Sequence, residues 1–270
     1  MRGNPILGPG PRAGASPNDA PTDDATDFRP GPAPTPPFLG ILVLDTAFPR
    51  IPGDVGNAVS HDVPVRFHVV KGADVPRILC GGPPDPALVA AFVAGARALE
   101  AAGAGGIVTS CGFLGHVQAE LAAAVRIPVL ASALSLGPLI RMMTGGRPLG
   151  ILTADSRALT PALLRACGVD PATVRIAGLE GEGAWQRLIL APKEAQATTL
   201  DPGEIGALVE RAARTLVAAD PDIGAILLEC TNLPPYAGRI REATGLPVFH
   251  VLHAAALMKL HDFAAIDDIP

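Results

Sequence analysis

The chain is poor in charged and aromatic side chains. Asp, Glu, Lys and Arg make up 17% of its 270 residues, Phe, Trp and Tyr make up 4%, and the net charge is −5. A surface for nucleic acid or for an anionic membrane needs concentrated Lys and Arg, which this composition lacks. No apolar run approaches the roughly 18 residues of a membrane span, and the N-terminus lacks a secretory signal pattern. We therefore expect a cytoplasmic protein with neither nucleic acid nor a membrane as partner.

Cysteine is also scarce, with four residues at positions 80, 111, 167 and 230. No two of them form a C-x-x-C pair, which argues against a structural zinc site. So few cysteines in a long cytoplasmic chain also argue against a disulfide framework. The sequence thus predicts no metal site, and the thiols are either small apolar groups or reactive groups.

Two regions differ in composition. Residues 1–37 are dense in Pro, Gly, Ala and Asp with few core-forming side chains, which predicts a disordered tail. From Phe38 onward, short apolar runs alternate with amphipathic stretches. The predicted strands are 38–45, 105–111, 127–132, 148–156, 173–179, 222–230 and one within 243–251. The clearest predicted helices are 85–104, 157–167, 202–220 and a final one from about His253. This alternation predicts an α/β fold with parallel sheets.

An internal repeat refines this prediction. Residues 105–130 align without a gap on residues 224–249 after a shift of 119 positions, and Cys111 then falls on Cys230. Two copies of one α/β unit predict two similar lobes, each a parallel sheet flanked by helices, related by a pseudo-twofold axis. We expect lobe 1 over 38–146, with the C-terminal helix (250–270) returning to it, and lobe 2 over 147–249. The active site is expected between the lobes.

The repeat places Cys111 and Cys230 at equivalent positions, each at the carboxyl end of a buried strand where a helix begins. Ligands bind at that edge of open α/β sheets. Backbone N–H groups and the helix dipole favour a thiolate there, so we expect a lowered thiol pKa, although burial acts in the opposite direction. Two thiols facing each other across a cleft can act as acid and base on opposite faces of one carbon.

Several motifs carry a resemblance to a known family. They are TSCGFLG (109–115), LECTNLPPYA (228–237), the strand openings GILVLDT and GILTADS, and the strands IPVLAS and LPVFHV. Over about residues 38 to 262 the chain resembles the aspartate/glutamate racemase superfamily, which includes hydantoin racemases, maleate cis-trans isomerases and arylmalonate decarboxylases. The resemblance implies a cofactor-independent racemase or epimerase in which Cys111 and Cys230 are catalytic.

The resemblance also implies that donors near each cysteine hold a substrate carboxylate. The candidates beside the cysteines are Thr231, Asn232 and the backbone amides of Gly112 and Phe113. The loop after the first strand adds Asp45, Thr46, Arg50 and Asn57, and the mirrored positions of lobe 2 are Thr153 and Ser156. His250 follows the last strand and is a candidate for orienting a thiol or the substrate. Glu229 is expected to have a structural or surface role, because strand alternation directs it away from Cys230.

Several functions remain open at this stage. Acidic amino acids are the first substrates expected, as part of a broader class of small carboxylated carbon acids. Hydantoin racemisation would use the same thiols, whereas a maleate-type isomerase would use one cysteine as a nucleophile. From another class, a catalytically silent bilobed binding protein would keep the cleft without turnover. A homo-oligomer is also open.

Overall fold

Two parallel sheets with the same strand order organise the molecule. The computed structural model describes residues 38–258, so the predicted tail and the last residues of the predicted final helix lie outside the described residues. The sheet orders are β2-β1-β3-β4 and β6-β5-β7-β8, and every strand pair in them is parallel. The strands are β1 Phe38–Leu44, β2 Val65–Val70, β3 Ala104–Thr109, β4 Val129–Leu130, β5 Leu149–Thr153, β6 Val174–Gly178, β7 Ala225–Leu228 and β8 Val248–Phe249. The two-lobed α/β fold predicted from the repeat is confirmed.

Helices flank both sheets. The α-helices are α1 Val75–Ile78, α2 Pro86–Ala101, α3 Gln118–Ala124, α4 Gly137–Met143, α5 Pro161–Ala166, α6 Gly183–Trp185, α7 Pro202–Ala219, α8 Ala237–Thr244 and α9 Val251–Leu257. Short 3-10 helices cover Ala58–Ser60, Gly112–Val117, Ala133–Leu136, Pro171–Thr173, Lys193–Ala195 and Pro234–Tyr236, and a π-helix covers Gln186–Leu190. None of the helices within residues 38–258 has the length and apolar character to cross a membrane.

The long helices begin where their capping residues predict. The Asp85 side chain accepts a hydrogen bond from Ala87 N (2.7 Å), and Pro86 occupies the first turn of α2. At α7 the Asp201 carboxylate accepts from Gly203 N (2.8 Å). These caps satisfy N–H groups that have no partner inside the helix, and proline is tolerated there because it has no N–H to leave unpaired.

The central strands carry the core. Every residue of β1, β5 and β7 is buried, as expected for parallel strands covered by helices on both faces. The two halves match in detail, because Ser110 N donates to Leu42 O and Glu229 N donates to Leu152 O, both at 2.9 Å. The central strands β3 and β7 therefore end at equivalent positions in their sheets, and each is followed closely by one of the two cysteines.

The final described helix packs against the first lobe. Helix α9 contacts β3, and the Met258 side chain lies directly over Gly106. A side chain at Gly106 would collide with Met258, so the small residue allows this close packing.

Candidate active site

Cys111 and Cys230 line one cavity between the two sheets. Cys111 and Cys230 are 8% and 6% exposed, and the empty space around them, which includes space open to solvent, is about 330 Å³. Its other lining residues are Leu44, Phe48, Arg50, Val75, Leu79, Ser110, Gly112, Phe113, Ala154, Ile189, Thr231 and Asn232. The lining is mainly apolar, with polar groups concentrated around the cysteines.

Cys111 sits at the start of a 3-10 helix. The hydroxyl of Thr109, at the end of β3, donates to Ala131 O (2.6 Å), and Cys111 N donates to this hydroxyl (3.3 Å). The chain then turns into the 3-10 helix Gly112–Val117, which Cys111 precedes. As a result the backbone amides of Phe113 and Leu114 face the thiol and favour its ionised form.

Cys230 has a different local structure. Its Sγ donates to Asn232 Oδ1 (3.6 Å), and the next helix begins only at Pro234, so the predicted helix start beside Cys230 is wrong. The neighbouring Thr231 hydroxyl donates across the lobes to Ser110 O (2.6 Å). This contact ties one cysteine loop directly to the other.

Burial dominates the ionisation of both thiols. It raises the pKa of Cys111 and of Cys230 far above the ordinary value, and the charge of Glu229 raises both further. The Phe113 amide and the Arg50 charge act in the opposite direction on Cys111. At Cys230 the Asn232 amide lowers the thiol pKa in the same way. The prediction of a lowered thiol pKa is therefore wrong, because desolvation outweighs the backbone donors.

Glu229 is buried beneath the cysteine loops. It has no solvent exposure, and Thr153 Oγ1 donates to its Oε2 at 2.7 Å. Its other oxygen, Oε1, has no hydrogen-bond partner among the described residues, and a β-carbon at Gly112 would collide with it. Burial raises its pKa to about 7, against hydrogen bonds from Thr153 and the Ala154 amide.

A polar network connects the loop after β1 to the second cysteine loop. Arg50 Nη1 donates to Asp54 Oδ1 (2.9 Å), and Asn232 Nδ2 donates to Asp54 Oδ2 (2.6 Å). The guanidinium also lies 4.8 Å from the centre of the Phe48 ring. Asp54, only 2% exposed, therefore fixes both Arg50 and Asn232 at the cavity.

Seven of the site residues predicted from sequence meet at this cavity. They are Cys111, Cys230, Arg50, Gly112, Phe113, Thr231 and Asn232. The structure does not bring the remaining six to its lining. They are Asp45, Thr46, Asn57, Thr153, Ser156 and His250.

Three of those six lie in the loop after β1 and have structural partners there. Asp45 accepts from Lys193 Nζ (2.5 Å) and from Gly72 N (3.1 Å), and Thr46 accepts from Arg50 Nη2 (3.2 Å). Asn57 caps a 3-10 helix and donates to Arg50 O (2.8 Å). The loop therefore positions Arg50, which alone among these four candidates reaches the cavity.

The other three have partners in or near the second sheet. Thr153 donates to Glu229, as described above, and Ser156 hydrogen-bonds Glu180 through both its hydroxyl and its amide. His250 precedes α9, with its ring 4.1 Å from that of His253, and burial lowers its pKa to about 3. A neutral histidine that lies outside the cavity, with its ring tilted against that of His253, has no group of the site to orient.

Sequence reasoning missed other lining residues. Ser110 directly precedes a predicted catalytic cysteine, so its place in the repeat was a usable signal. The apolar wall of Phe48, Val75, Leu79 and Ile189 comes from the loop after β1, from the two ends of the short helix α1 and from the π-helix, and no periodic pattern indicates it. π-helical turns are frequent at functional sites.

A wider groove adjoins the cavity. It has about 1150 Å³ of empty space open to solvent and shares Val75 and Leu79 with the cavity. Arg157 and Arg187 also line it.

Within residues 38–258, no group of three His, Cys, Asp or Glu side chains is arranged to hold a metal ion.

Comparison with known proteins agrees with this fold. The family described as Asp/Glu/Hydantoin racemase matches residues 56–258, and the chain belongs to this family. A dimethylsulfoniopropionate lyase of Durusdinium sp. clade D is 31% identical over 224 residues, which are 80% of this chain and 72% of that protein. Dimethylsulfoniopropionate lyase 7 of Emiliania huxleyi is 30% identical over 226 residues, which are 80% of this chain and 64% of that protein.

Solved structures share the fold at low sequence identity. A glycine-to-cysteine mutant of arylmalonate decarboxylase, in a sulfate-associated form, has a TM-score of 0.54 at 19% identity. The match covers 83% of this chain and 94% of the other. Allantoin racemase from Pseudomonas fluorescens has a TM-score of 0.51 at 14% identity and covers 85% and 92%. At these identities the likeness shows the fold alone.

Proposed function

We propose that this protein is a cofactor-independent lyase that eliminates dimethyl sulfide from dimethylsulfoniopropionate. The observation that carries the proposal is a mainly apolar cavity that holds two buried thiols and one arginine. The named lyases among its relatives supply the substrate. The reaction fits the racemisations in the family's description, which also begin with removal of a proton next to a carbonyl carbon.

The chemistry needs one base and a leaving group. A thiolate takes a proton from the carbon next to the carboxylate, and the electron pair of that C–H bond forms a carbon–carbon double bond. The bond between the β-carbon and sulfur breaks at the same time or immediately afterwards, and sulfur keeps its electron pair. The products are neutral dimethyl sulfide and acrylate, and the thiol formed is the resting form, which gives its proton to water when the next substrate binds.

The cavity offers a place for each end of this substrate. Arg50 can hold the carboxylate through two parallel hydrogen bonds, and the amides after Cys111 can support the charge that develops during deprotonation. The apolar wall suits the two methyl groups. The rings of Phe48 and Phe113 suit a cation that makes no hydrogen bonds.

The lining favours a sulfonium over an ammonium group. An α-amino acid needs oxygen acceptors for its three N–H donors. Asp54, the carboxylate that contacts the lining residues Arg50 and Asn232, already accepts from both and from Gly56 N. Asp45, the acid that the sequence predicted to contact substrate, pairs with Lys193 away from the cavity. A substrate without N–H groups therefore fits the described lining better.

A cationic substrate would also offset the raised pKa of the thiols. Both thiols are neutral at pH 7 in this dry environment. A sulfonium placed beside them supplies a positive charge that favours the thiolate, because an opposite charge close by stabilises the ionised form. Substrate binding would thus generate the base that the reaction requires.

Racemisation is the second candidate, favoured by the presence of both cysteines in one cavity. Racemisation needs a base on one face of the carbon and an acid on the other, whereas elimination needs only the base. The two reactions share proton abstraction next to a carboxylate. They differ in whether that carbon is protonated again or a bond to its neighbour breaks.

The proposal is tested by product analysis with purified protein. Dimethylsulfoniopropionate is incubated with wild type and with the double variant Cys111→Ser, Cys230→Ser, and dimethyl sulfide and acrylate are measured by gas and liquid chromatography. We expect equal amounts of both products from wild type and none above background from the double variant. Absence of dimethyl sulfide, together with racemisation of aspartate, glutamate or a hydantoin, would replace elimination by the second candidate.

A further inference from the structure

Glu229 is a buried acid that neither candidate reaction uses. It directly precedes Cys230, is fully buried, and lies against Gly112, the residue after Cys111. One carboxyl oxygen accepts from Thr153 Oγ1 at 2.7 Å, and the other has no partner among residues 38–258. An ionised carboxylate with one oxygen left unsolvated is costly, so this geometry favours the neutral acid.

The charged and titratable groups around Glu229 are mainly other acids. Cys111 and Cys230 flank it from the two lobes, and the buried Cys167 approaches from the end of α5. Arg50 acts on Cys111, and Asp54 acts on Cys230. No lysine or arginine of the described chain contributes to the ionisation of Glu229 itself. A negative charge on Glu229 would therefore oppose a thiolate at either cysteine.

We propose that Glu229 is a positioning residue that must stay neutral for either active-site cysteine to become a thiolate. In its neutral form it fills the space beneath the two cysteine loops without adding charge. In its ionised form it opposes the base that the reaction needs. The two cysteines and this carboxyl thus carry one negative charge between them at a time. The proposal rests on the proposed function only in taking Cys111 and Cys230 as the reacting groups.

Thiol alkylation tests the proposal without requiring turnover. Wild type and Glu229→Gln are treated with iodoacetamide from pH 6 to pH 9, and the rates at Cys111 and Cys230 are read separately by peptide mass spectrometry. Glutamine keeps the shape and can still accept from Thr153, but it cannot ionise. The exposed Cys80 is an internal control, and Glu242→Gln, at an exposed position, is the matched control.

The expected result depends on pH in a specific way. The variant and wild type should react equally near pH 6, where Glu229 is neutral in wild type. By pH 8 to 9 the active-site thiols of the variant should react about tenfold faster, which corresponds to one pK unit. Cys80 should react at the same rate in every protein. A ratio that stays constant over the pH range, with a folded variant, would overturn the proposal and leave Glu229 a packing role.

If Glu229→Gln does not fold, a second variant tests the same proposal. Thr153→Val removes the hydroxyl that stabilises the ionised carboxyl while keeping side-chain volume. Glu229 should then remain neutral to higher pH, and the two thiols should react faster than wild type at pH 8, by a smaller factor. Unchanged thiol rates in this variant would overturn the proposal. Absence of dimethyl sulfide formation with the expected alkylation result would reject the lyase function and leave this inference standing.

Discussion

The two cysteine loops occupy equivalent places in the repeat but differ in what surrounds the thiol. In each lobe the residue after the cysteine contacts the residue before the cysteine of the other lobe. Thr231 donates to Ser110 O at 2.6 Å, whereas Gly112 lies against the carboxyl of Glu229. One contact is a hydrogen bond between small polar groups, and the other places a buried acid against a glycine. The two lobes repeat the same fold, but the groups around their two thiols differ in charge.

The difference extends to the charges that reach each thiol. Arg50 and two backbone amides favour ionisation of Cys111. Cys230 has one such amide and donates a hydrogen bond to Asn232 Oδ1. The charge of Asp54 opposes ionisation of Cys230. The repeat therefore duplicates the position of a proposed catalytic thiol without duplicating the charges around it. Unequal thiols suit an elimination, which needs one base, better than a racemisation, which uses both in turn.

The largest effects are expected from the cysteines themselves. Cys111→Ser and Cys230→Ser should reduce kcat for dimethyl sulfide formation unequally. One variant should lose about 10³-fold or more, as expected when a general base is removed. The other should lose clearly less, because its thiol shapes the cavity without taking the proton. Steady-state rates would test this, with circular dichroism to check that each variant is folded, and equal losses in both variants would mean that the elimination needs both thiols.

Glu229 should make stability depend on pH. Its pKa is raised to about 7 in the folded protein from an ordinary value of 4.5, so its contribution is fully present below pH 4.5 and is lost as pH rises through 7. The full shift corresponds to about 3 kcal/mol. Urea unfolding of wild type and Glu229→Gln from pH 4 to 8 would measure it. Parallel stability curves for the two proteins would contradict the raised pKa.

The paired contacts between the loops should respond differently to small substitutions. Gly112→Ala should cost about 1–3 kcal/mol, because its β-carbon would collide with Glu229. Thr231→Ala in the other lobe removes one hydrogen bond and should cost about 1 kcal/mol. Both free energies of unfolding come from urea titrations at one pH. A smaller cost for Gly112→Ala than for Thr231→Ala would mean that the first contact relaxes easily.

The smallest effect is expected at Asp45. This carboxylate pairs with Lys193 at 2.5 Å, but the lysine is one-third exposed and neither residue lines the cavity. Asp45→Asn should change stability by less than about 1 kcal/mol and leave kcat/KM nearly unchanged. Thermal unfolding and steady-state kinetics would check this. A loss above about tenfold in kcat/KM would indicate that Asp45 contacts the substrate.

The fold and the two central residues of the site are predictable because they depend on local patterns. Buried strands are apolar runs, and the internal repeat by itself aligns Cys111 with Cys230. Edge strand β2 was missed because Arg66, Phe67 and Val69 are exposed, so the segment lacks the apolar run of a central strand. Helix α8 was missed because it follows two prolines closely and half of its eight residues are polar.

The finer parts of the site depend on contacts between distant segments. Asp54 matters because it meets Asn232 from the other lobe, and Ile189 reaches the cavity through a π-helical turn. Glu229 follows the strand alternation that directs it away from Cys230, yet that direction leads into the core beneath the opposite loop. Sequence alone gives the strand and its alternation, whereas the neighbour on the far side comes from the packing of the two lobes.

Nuclear magnetic resonance of dimethylsulfoniopropionate in heavy water tests the central claim most directly. With wild type we predict that the substrate signals fall while acrylate and dimethyl sulfide rise in equal amounts, and that the double cysteine variant leaves the substrate intact. Unchanged dimethylsulfoniopropionate, with deuterium entering the α-carbon of aspartate, glutamate or a hydantoin under the same conditions, would contradict the lyase proposal.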